Sequence, residues 1–499
     1  MRLVYHKNNK ISKLAWCLVG NKNKEIFNLY HGENVEVHEN CFFEGTWDGD
    51  FSEFEFEKAN FFLGSGGKIE DLNKLTISTP SHILERIYVI RKNDEIYISN
   101  SMPFILVKSN LRLDKNYFGY ENDLNSILKG INNYKNNIPL SGGELLEIYY
   151  YCNITLDSEF VLKIKSKKNI DQFKDYDDYI NRLNFAISKI SENANSKKRM
   201  VRYGFVTTIS KGYDAAASAA IVKNFGCDAA ISFDKPKKYC EDCGDEIAKK
   251  LGYKNIIKKD ADKYLKNTDL IEAEFVSSGE LGTGIVFYSF ENEFKNNIVC
   301  IGERGDKIWD KNRSDVNNEF YFDNEVFTGT SLIENRLKVG YIILPIPLFS
   351  AINWESINNI SNSKEMIKFS IGGNYDRPIP RRILEESGID RSMFGMEKKG
   401  AGFNYRYDNL SRIKKRMSKK SFESFYKFYR ANKRKGLIKY YIWIKFIWGS
   451  KKIYAAYLLN KFGISVNLNI NMNDKTSNPG ASSYLFNWGI NEMIKKYEE

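Results

Sequence analysis

Between residues 200 and 305 the chain alternates two kinds of segment. RYGFVTTI, DAAISF and NNIVCIG are short and apolar, whereas AAASAAIVKNF and GDEIAKKLGY between them read as helices. Strands joined through helices do not pair as hairpins; each crossover returns the next strand parallel to the last. The pattern therefore predicts an α/β architecture here, a parallel sheet with helices on both faces.

The flanking regions read differently. Residues 1 to about 160 are aromatic-rich and carry short β-like runs, and YVIRKND followed by EIYISNS predicts a hairpin turning near Asn93 and Asp94. From about 165 the chain becomes rich in lysine and asparagine, then turns helical through DDYINRLNFAISKISENA. This divides the chain into a mostly β domain (1–165), a linker helix (166–198), an α/β domain (199–405) and a basic, helical carboxyl-terminal extension (406–499). With 499 residues, 42% hydrophobic and 28% charged, the chain is too long for one core and too apolar to be disordered.

Composition also narrows function. No uninterrupted apolar block of signal-peptide or membrane-spanning length is present, which predicts a cytoplasmic protein without a transmembrane segment. Seven cysteines, at 17, 41, 152, 227, 240, 243 and 300, are an odd, dispersed set that suits reduced thiols. The net charge of +12 points to an anionic partner: nucleotide, nucleic acid or acidic lipid. The four histidines, His6, His31, His38 and His82, all lie early in the chain. Chemistry housed beyond residue 100 thus has no histidine base, serine–histidine couple or histidine-held metal.

The segment TTISKGYDAAASAAIVKNFG, 207–226, is the most informative. A strand ending at Ile209, a turn through Ser210, Lys211, Gly212 and Tyr213, and a helix starting near Asp214 direct backbone N–H groups and a helix amino terminus into one concavity. That concavity suits a phosphate: Ser210 supplies a hydroxyl, Lys211 a cation, and Asp214 a carboxylate able to hold Mg²⁺ against phosphate oxygens. Spacing alone is equally met by an ordinary strand-to-helix turn with a capping aspartate.

SKGYDA resembles the pyrophosphate-binding loop SGGxDS of N-type ATP pyrophosphatases, and the wider chain resembles the asparagine synthetase class of ATP-dependent amide-forming enzymes. In the same order, GERGDK at 302–307 resembles the acidic motif GEGxDE, YDRPIPRRILEESGI at 375–389 the helical segment beyond it, and FGMEKKGAGF at 394–403 the lysine-bearing loop. The resemblance covers about residues 200–405 and implies an adenine nucleotide alpha-hydrolase-like fold that binds ATP and Mg²⁺. It implies that Ser210, Lys211, Gly212, Tyr213, Asp214 and Gly302 hold the nucleotide phosphates, with Phe233 beside adenine. Asp214 and Asp306 would be the Mg²⁺ carboxylates, and Glu303 would lie near the acyl-transfer centre. Lys398, or Lys399 if the register shifts by one, would offset negative charge as an amine attacks an acyl-adenylate. The substrates implied are a small-molecule or peptide carboxylate and an amine nucleophile.

Some positions depart from the motif. Lys211 replaces the second loop glycine, Ala215 the final serine, and Arg304 and Lys307 stand where a small residue and a glutamate are usual. Ala215 removes one pyrophosphate hydrogen bond, a deficit of roughly 1–3 kcal/mol, for which the Lys211 charge can substitute. The first domain weakly resembles the N-terminal-nucleophile domain that hydrolyses glutamine with a cysteine following the initiator methionine. Here Met1 is followed by Arg2, and the first cysteine is Cys17, so glutamine is not expected to supply nitrogen.

The alternatives are a tRNA-modifying enzyme of the same nucleotide-binding fold and a non-catalytic ATP-binding relative. Cys240-Glu-Asp-Cys243 has CxxC spacing but neither a second pair nor a nearby histidine, and reads better as a helix start than as a metal site. The lysine- and aromatic-rich run at 412–448 has the composition of a surface that grips RNA or membrane, and equally that of helices on a basic protein.

Overall fold

The computed structural model describes residues 1–498 except 71–73, 168–169, 235–242, 324, 326–331, 396–403 and 434–479. Two β-sheets form the framework of the first 166 residues. One has seven strands in the spatial order Arg2–Lys7, Ile26–His31, Trp16–Asn21, Glu95–Ser99, Ile87–Lys92, Leu145–Tyr149, Asn137–Pro139, antiparallel except at the first pair. The other is wholly antiparallel, in the order Leu162–Ser166, Cys152–Asp157, Lys74–Ser78, Phe62–Ile69, Cys41–Trp47, Glu36–His38. Burial alternates along Ile26–His31 and Cys152–Asp157, the period-two signature of a strand with one face on a core. The inward residues Phe27, Leu29, Ile154 and Leu156 join Trp16, Phe42, Ile77, Val89 and Ile98 in one apolar cluster drawn from both sheets. The expected hairpin is present: Lys92 faces Glu95 across a turn in which Asn93 takes a left-handed φ of 54°, a conformation asparagine tolerates.

The expected parallel sheet is also present. Its five strands lie in the order Asn255–Lys259, Ala229–Phe233, Gly204–Thr208, Asn297–Ile301, Ile342–Pro345, and every neighbouring pair is parallel. The chain starts at the central strand, winds outward through two, then returns to the other side. The order therefore reverses between Gly204–Thr208 and Asn297–Ile301, where the loops leaving the two strands diverge and open a crevice at their carboxyl ends. Helix Tyr213–Lys223 packs against both of those strands and against helix Pro378–Glu386. Ala216, Ala217, Ala219 and Ala220 are buried, and small side chains on several faces let this helix sit between sheet and helix.

Two features of the organisation go beyond the sequence reading. The linker is helix Tyr176–Ala194, capped by the Asp175 side chain, but it is no free bridge. Asn193 accepts from Thr46 at 2.8 Å and donates to the Gly49 carbonyl at 2.8 Å, while Tyr179 accepts from the Trp309 indole at 3.1 Å, so the helix is packed against both halves. The last described helix is likewise packed into the body of the protein. Helix Leu485–Glu498 buries Leu485, Trp488 and Ile490 and packs on helix Met102–Lys108 of the first half and on residues 271–280 of the second. Its apolar face had no visible partner in sequence, because that partner is assembled from two distant segments. Among the described residues no helix is long and apolar enough to cross a membrane.

Polar contacts fix how the halves meet. The buried Arg336 guanidinium grips Glu44 with two bonds, 2.7 and 3.0 Å, and pairs with Glu85. Glu334 accepts from Ser101 at 2.9 Å and from Tyr497 at 3.2 Å, tying the first half, the second half and the last helix to one carboxyl. Burial pushes Glu334 up to about 7, with the nearby Glu274 charge adding to the rise. An unfolded glutamate ionises near pH 4.5, so folding has to keep this group protonated above that point. Stability is lost as pH rises from about 4.5 toward 7. Glu334→Gln, neutral at every pH, is expected to match the parent at pH 5 and to exceed it by on the order of 2 kcal/mol at pH 8, read from chemical denaturation at the two pH values.

Candidate functional site

At the crevice between the two central strands lies a cavity of about 240 Å³. Thr208, Ser210, Gly212, Asp214 and Ala215 line it from the first crossover, Ile301, Gly302, Glu303 and Asp306 from the fourth strand and its loop, and Phe287, Tyr375 and Arg377 from elsewhere in the chain. Six of the expected residues, Ser210, Gly212, Asp214, Gly302, Glu303 and Asp306, thus meet in one place although two strands of the sheet intervene between them in sequence.

The turn after the first strand is built as a cradle. Strand Gly204–Thr208 ends one residue earlier than expected, and helix Tyr213–Lys223 begins with Gly212 at its cap. Gly212 N–H donates to Ser210 Oγ at 3.2 Å, so the serine side chain closes the turn on itself. The cap position makes no side-chain hydrogen bond of its own, which leaves the helix start to solvent or an anion. Ser210 is held from the second crossover as well: it bridges to Cys243, and a β-carbon at Gly244 would come within 2.8 Å of the Ser210 nitrogen.

Two glycines bring the acidic loop onto that helix. A β-carbon at Gly302 would lie 2.4 Å from the Asp214 carbonyl carbon, and one at Gly305 would lie 2.7 Å from Asp214 Oδ1. Only glycine permits both approaches, and they set the Asp214 carboxylate beside the loop that carries Asp306. Glu303 lies between them with 24% of its side chain exposed. Burial is the main cause of its rise to about 8, and the charges of Asp306, Glu280 and Asp214 add to it against the pull of Arg304.

The two cations that depart from the acidic motif pair most closely with Glu325, while Arg304 also lies 3.9 Å from Glu303. Arg304, at a left-handed φ of 66°, pairs with Glu325 at 3.2 Å, and Lys307 pairs with the same carboxylate at 2.6 Å. Lys307 also lies 3.5 Å from Asp306. Glu325, which sequence reading did not single out, thus takes up the two extra charges.

Other expected residues sit elsewhere. Tyr213 is fully buried: its hydroxyl accepts from Arg381, its ring lies 5.1 Å from Tyr375 and 5.7 Å from Phe394, and Gly395 rests directly on it. The Tyr213 side chain therefore anchors the turn to the core and does not line the cavity. Lys211 does not line it either; its carbonyl accepts from Gly395 N–H at 2.9 Å. Phe233 packs behind the cavity wall, 5.8 Å from Phe287 and 5.3 Å from Phe290, and Phe287 is the ring that faces inward. Lys398, Lys399 and Cys240 lie outside the described residues, as does 434–448 of the basic run.

Sequence reading missed Thr208, Phe287, Tyr375 and Arg377. YDRPIPRRILEESGI was noticed as a segment, but nothing in it showed that Tyr375 and Arg377 turn toward a cavity. Phe287 carried no local signal at all. Among the described residues no group of three or more His, Cys, Asp or Glu forms a metal cage. Two carboxylates open to a cavity are the donor set Mg²⁺ uses when phosphate oxygens and water complete its shell.

The close approach at Gly302 gives a direct check. Gly302→Ala is expected to destabilise the fold by roughly 1–3 kcal/mol through overpacking against the helix start. Gly480→Ala, where the added carbon meets nothing within 4 Å, is expected to stay within about 0.5 kcal/mol of the parent. Equal thermal denaturation of the two variants would contradict the packing described. In comparisons with known proteins, no family model matches this chain, and no curated protein shows significant similarity to it.

Proposed function

We propose that this chain is an ATP-dependent amide-forming ligase of the asparagine synthetase-like kind, which transfers AMP to a carboxylate, releases pyrophosphate and passes the acyl group to an amine. The observation that carries the reading is the meeting of Asp214 and Asp306 at the reversal point of a parallel sheet, locked by Gly302 and Gly305. Ligands of open α/β sheets bind at that point.

In this reading the N–H groups at the start of helix Tyr213–Lys223 and the Ser210 hydroxyl bind the pyrophosphate portion of ATP. Asp214 and Asp306 would hold Mg²⁺, which when bound neutralises phosphate charge. Phe287, backed by Phe233, is the apolar wall for adenine. Glu303, once ionised by bound Mg²⁺ or by alkaline pH, would take the proton released as the amine nitrogen bonds to the acyl carbon and AMP departs. Gly395 bonds to the Lys211 carbonyl, so the chain enters the segment bearing Lys398 and Lys399 from the phosphate turn itself. In this reading glutamine would not supply the nitrogen; burial raises the Cys17, Cys41 and Cys152 thiols, which disfavours the thiolate a nucleophile needs.

Asp214→Asn and Asp306→Asn are each expected to weaken Mg²⁺-dependent ATP binding by at least tenfold while the fold is retained, measured by titration calorimetry alongside circular dichroism. Unchanged affinity in both variants would remove the site. Lys398→Ala, or Lys399→Ala, is expected to lower product formation by about 10² to 10³ with little change in ATP affinity, because a contact made as the oxyanion develops affects turnover rather than ground-state binding. Pyrophosphate release that requires added RNA would instead favour a tRNA-modifying enzyme, and ATP binding without release over a broad carboxylate panel would favour a non-catalytic relative.

A further inference from the structure

Arg377 stands at the cap of helix Pro378–Glu386, is 3% exposed, and borders the cavity. Its Nη2 donates to the Asp306 carbonyl at 3.1 Å, and its guanidinium lies over the Tyr375 ring at 4.3 Å. Nε and Nη1 have no hydrogen-bond partner among the described residues, and no carboxylate there forms an ion pair with it. A buried guanidinium held by the Asp306 carbonyl and the Tyr375 side chain but with Nε and Nη1 left over is expensive to keep, since those donors give up hydration without full replacement. Two other buried arginines are satisfied within the protein, Arg336 by Glu44 and Glu85 and Arg86 by Tyr88, Tyr150 and the Ser278 carbonyl, while Arg199 and Arg381, which do not line the cavity, each leave Nε without a hydrogen-bond partner among the described residues. Arg377 differs in that its open edge adjoins a cavity.

We propose that Arg377 is an anion-binding arginine of this site, its Nη1 and the remaining Nη2 N–H forming a fork for two oxygens of a phosphoryl group. This rests on the functional reading above and assigns it a residue: the pyrophosphate part of ATP, and pyrophosphate after transfer, bound between the Ser210–Asp214 turn and Arg377. The Tyr375 ring lies 4.3 Å from the guanidinium carbon as a cation–π partner, and the bond to the Asp306 carbonyl restrains its rotation. A planar fork matches two oxygens of one phosphoryl group in a way a lysine ammonium does not. A phosphoryl anion suits the cavity better than a carboxylate, because Ser210, the helix start and Arg377 together offer donors to more than two oxygens. The charge also offsets the bond that Ala215 cannot make.

The test is titration calorimetry on the full chain with Mg²⁺ and inorganic pyrophosphate, with ATP and with acetate, for the parent, Arg377→Gln and Arg377→Lys. Arg377→Gln is expected to weaken pyrophosphate about 10- to 100-fold, the range of a lost charge-assisted contact, and to leave acetate unaffected. Arg377→Lys, which keeps the charge without the fork, is expected to lose about tenfold and carries the test should Arg377→Gln not fold. Parent-like pyrophosphate affinity in either variant overturns the fork while leaving the ligase reading intact. Loss of acetate binding with pyrophosphate unchanged assigns the arginine to a carboxylate and overturns the phosphoryl assignment. A parent that binds neither ATP nor pyrophosphate overturns the ligase reading and this proposal with it.

Discussion

The cavity depends on how closely a loop can approach a helix. Gly302 and Gly305 sit against Asp214 at separations no side chain would survive, and this contact joins the loop after the fourth strand to the turn after the first. Without it the two carboxylates would belong to separate loops. With it they share one concavity with the helix start, and burial there, with the neighbouring charges adding, raises the Glu303 carboxyl. The electrostatics of the site follow from a packing constraint, since several like charges are held together before any ligand arrives to neutralise them.

That arrangement is held from outside by buried polar ties. Arg336 with Glu44 and Glu85, and Glu334 with Ser101 and Tyr497, each connect segments more than 160 residues apart in sequence. Breaking one partner of a buried pair leaves an uncompensated charge, at a cost of roughly 3–5 kcal/mol, so such contacts hold the register of the two halves more firmly than their net contribution to stability suggests. The last helix belongs to the same system. Lys496 reaches the buried Glu274 at 2.7 Å, and Lys338 reaches it at 2.7 Å from the other side.

Legibility followed the range of the physical signal. The hairpin at Asn93, the strands Ala229–Phe233 and Asn297–Ile301, and helix Tyr213–Lys223 were readable because turn chemistry and periodicity act within a few residues. The convergence of SKGYDA with GERGDK was suggested by motif order, and the glycines in those motifs proved to mark the close approach. Tyr213 was expected in the phosphate turn, and no local signal showed that its side chain leaves the helix start toward Arg381 and Phe394.

The sequence by itself determined the fold class of each half, the strand-to-helix turn at Ser210 to Asp214, and the absence of histidine chemistry beyond His82. Each depends on composition or on interactions between near neighbours. Only the tertiary structure decided that Phe287 rather than Phe233 faces the cavity, that Glu325 absorbs Arg304 and Lys307, that Arg377 presents an open edge to the site, and that the last helix is core. Each of these depends on which distant segments share space, and that is set by strand order and close packing, which no local stretch of sequence encodes.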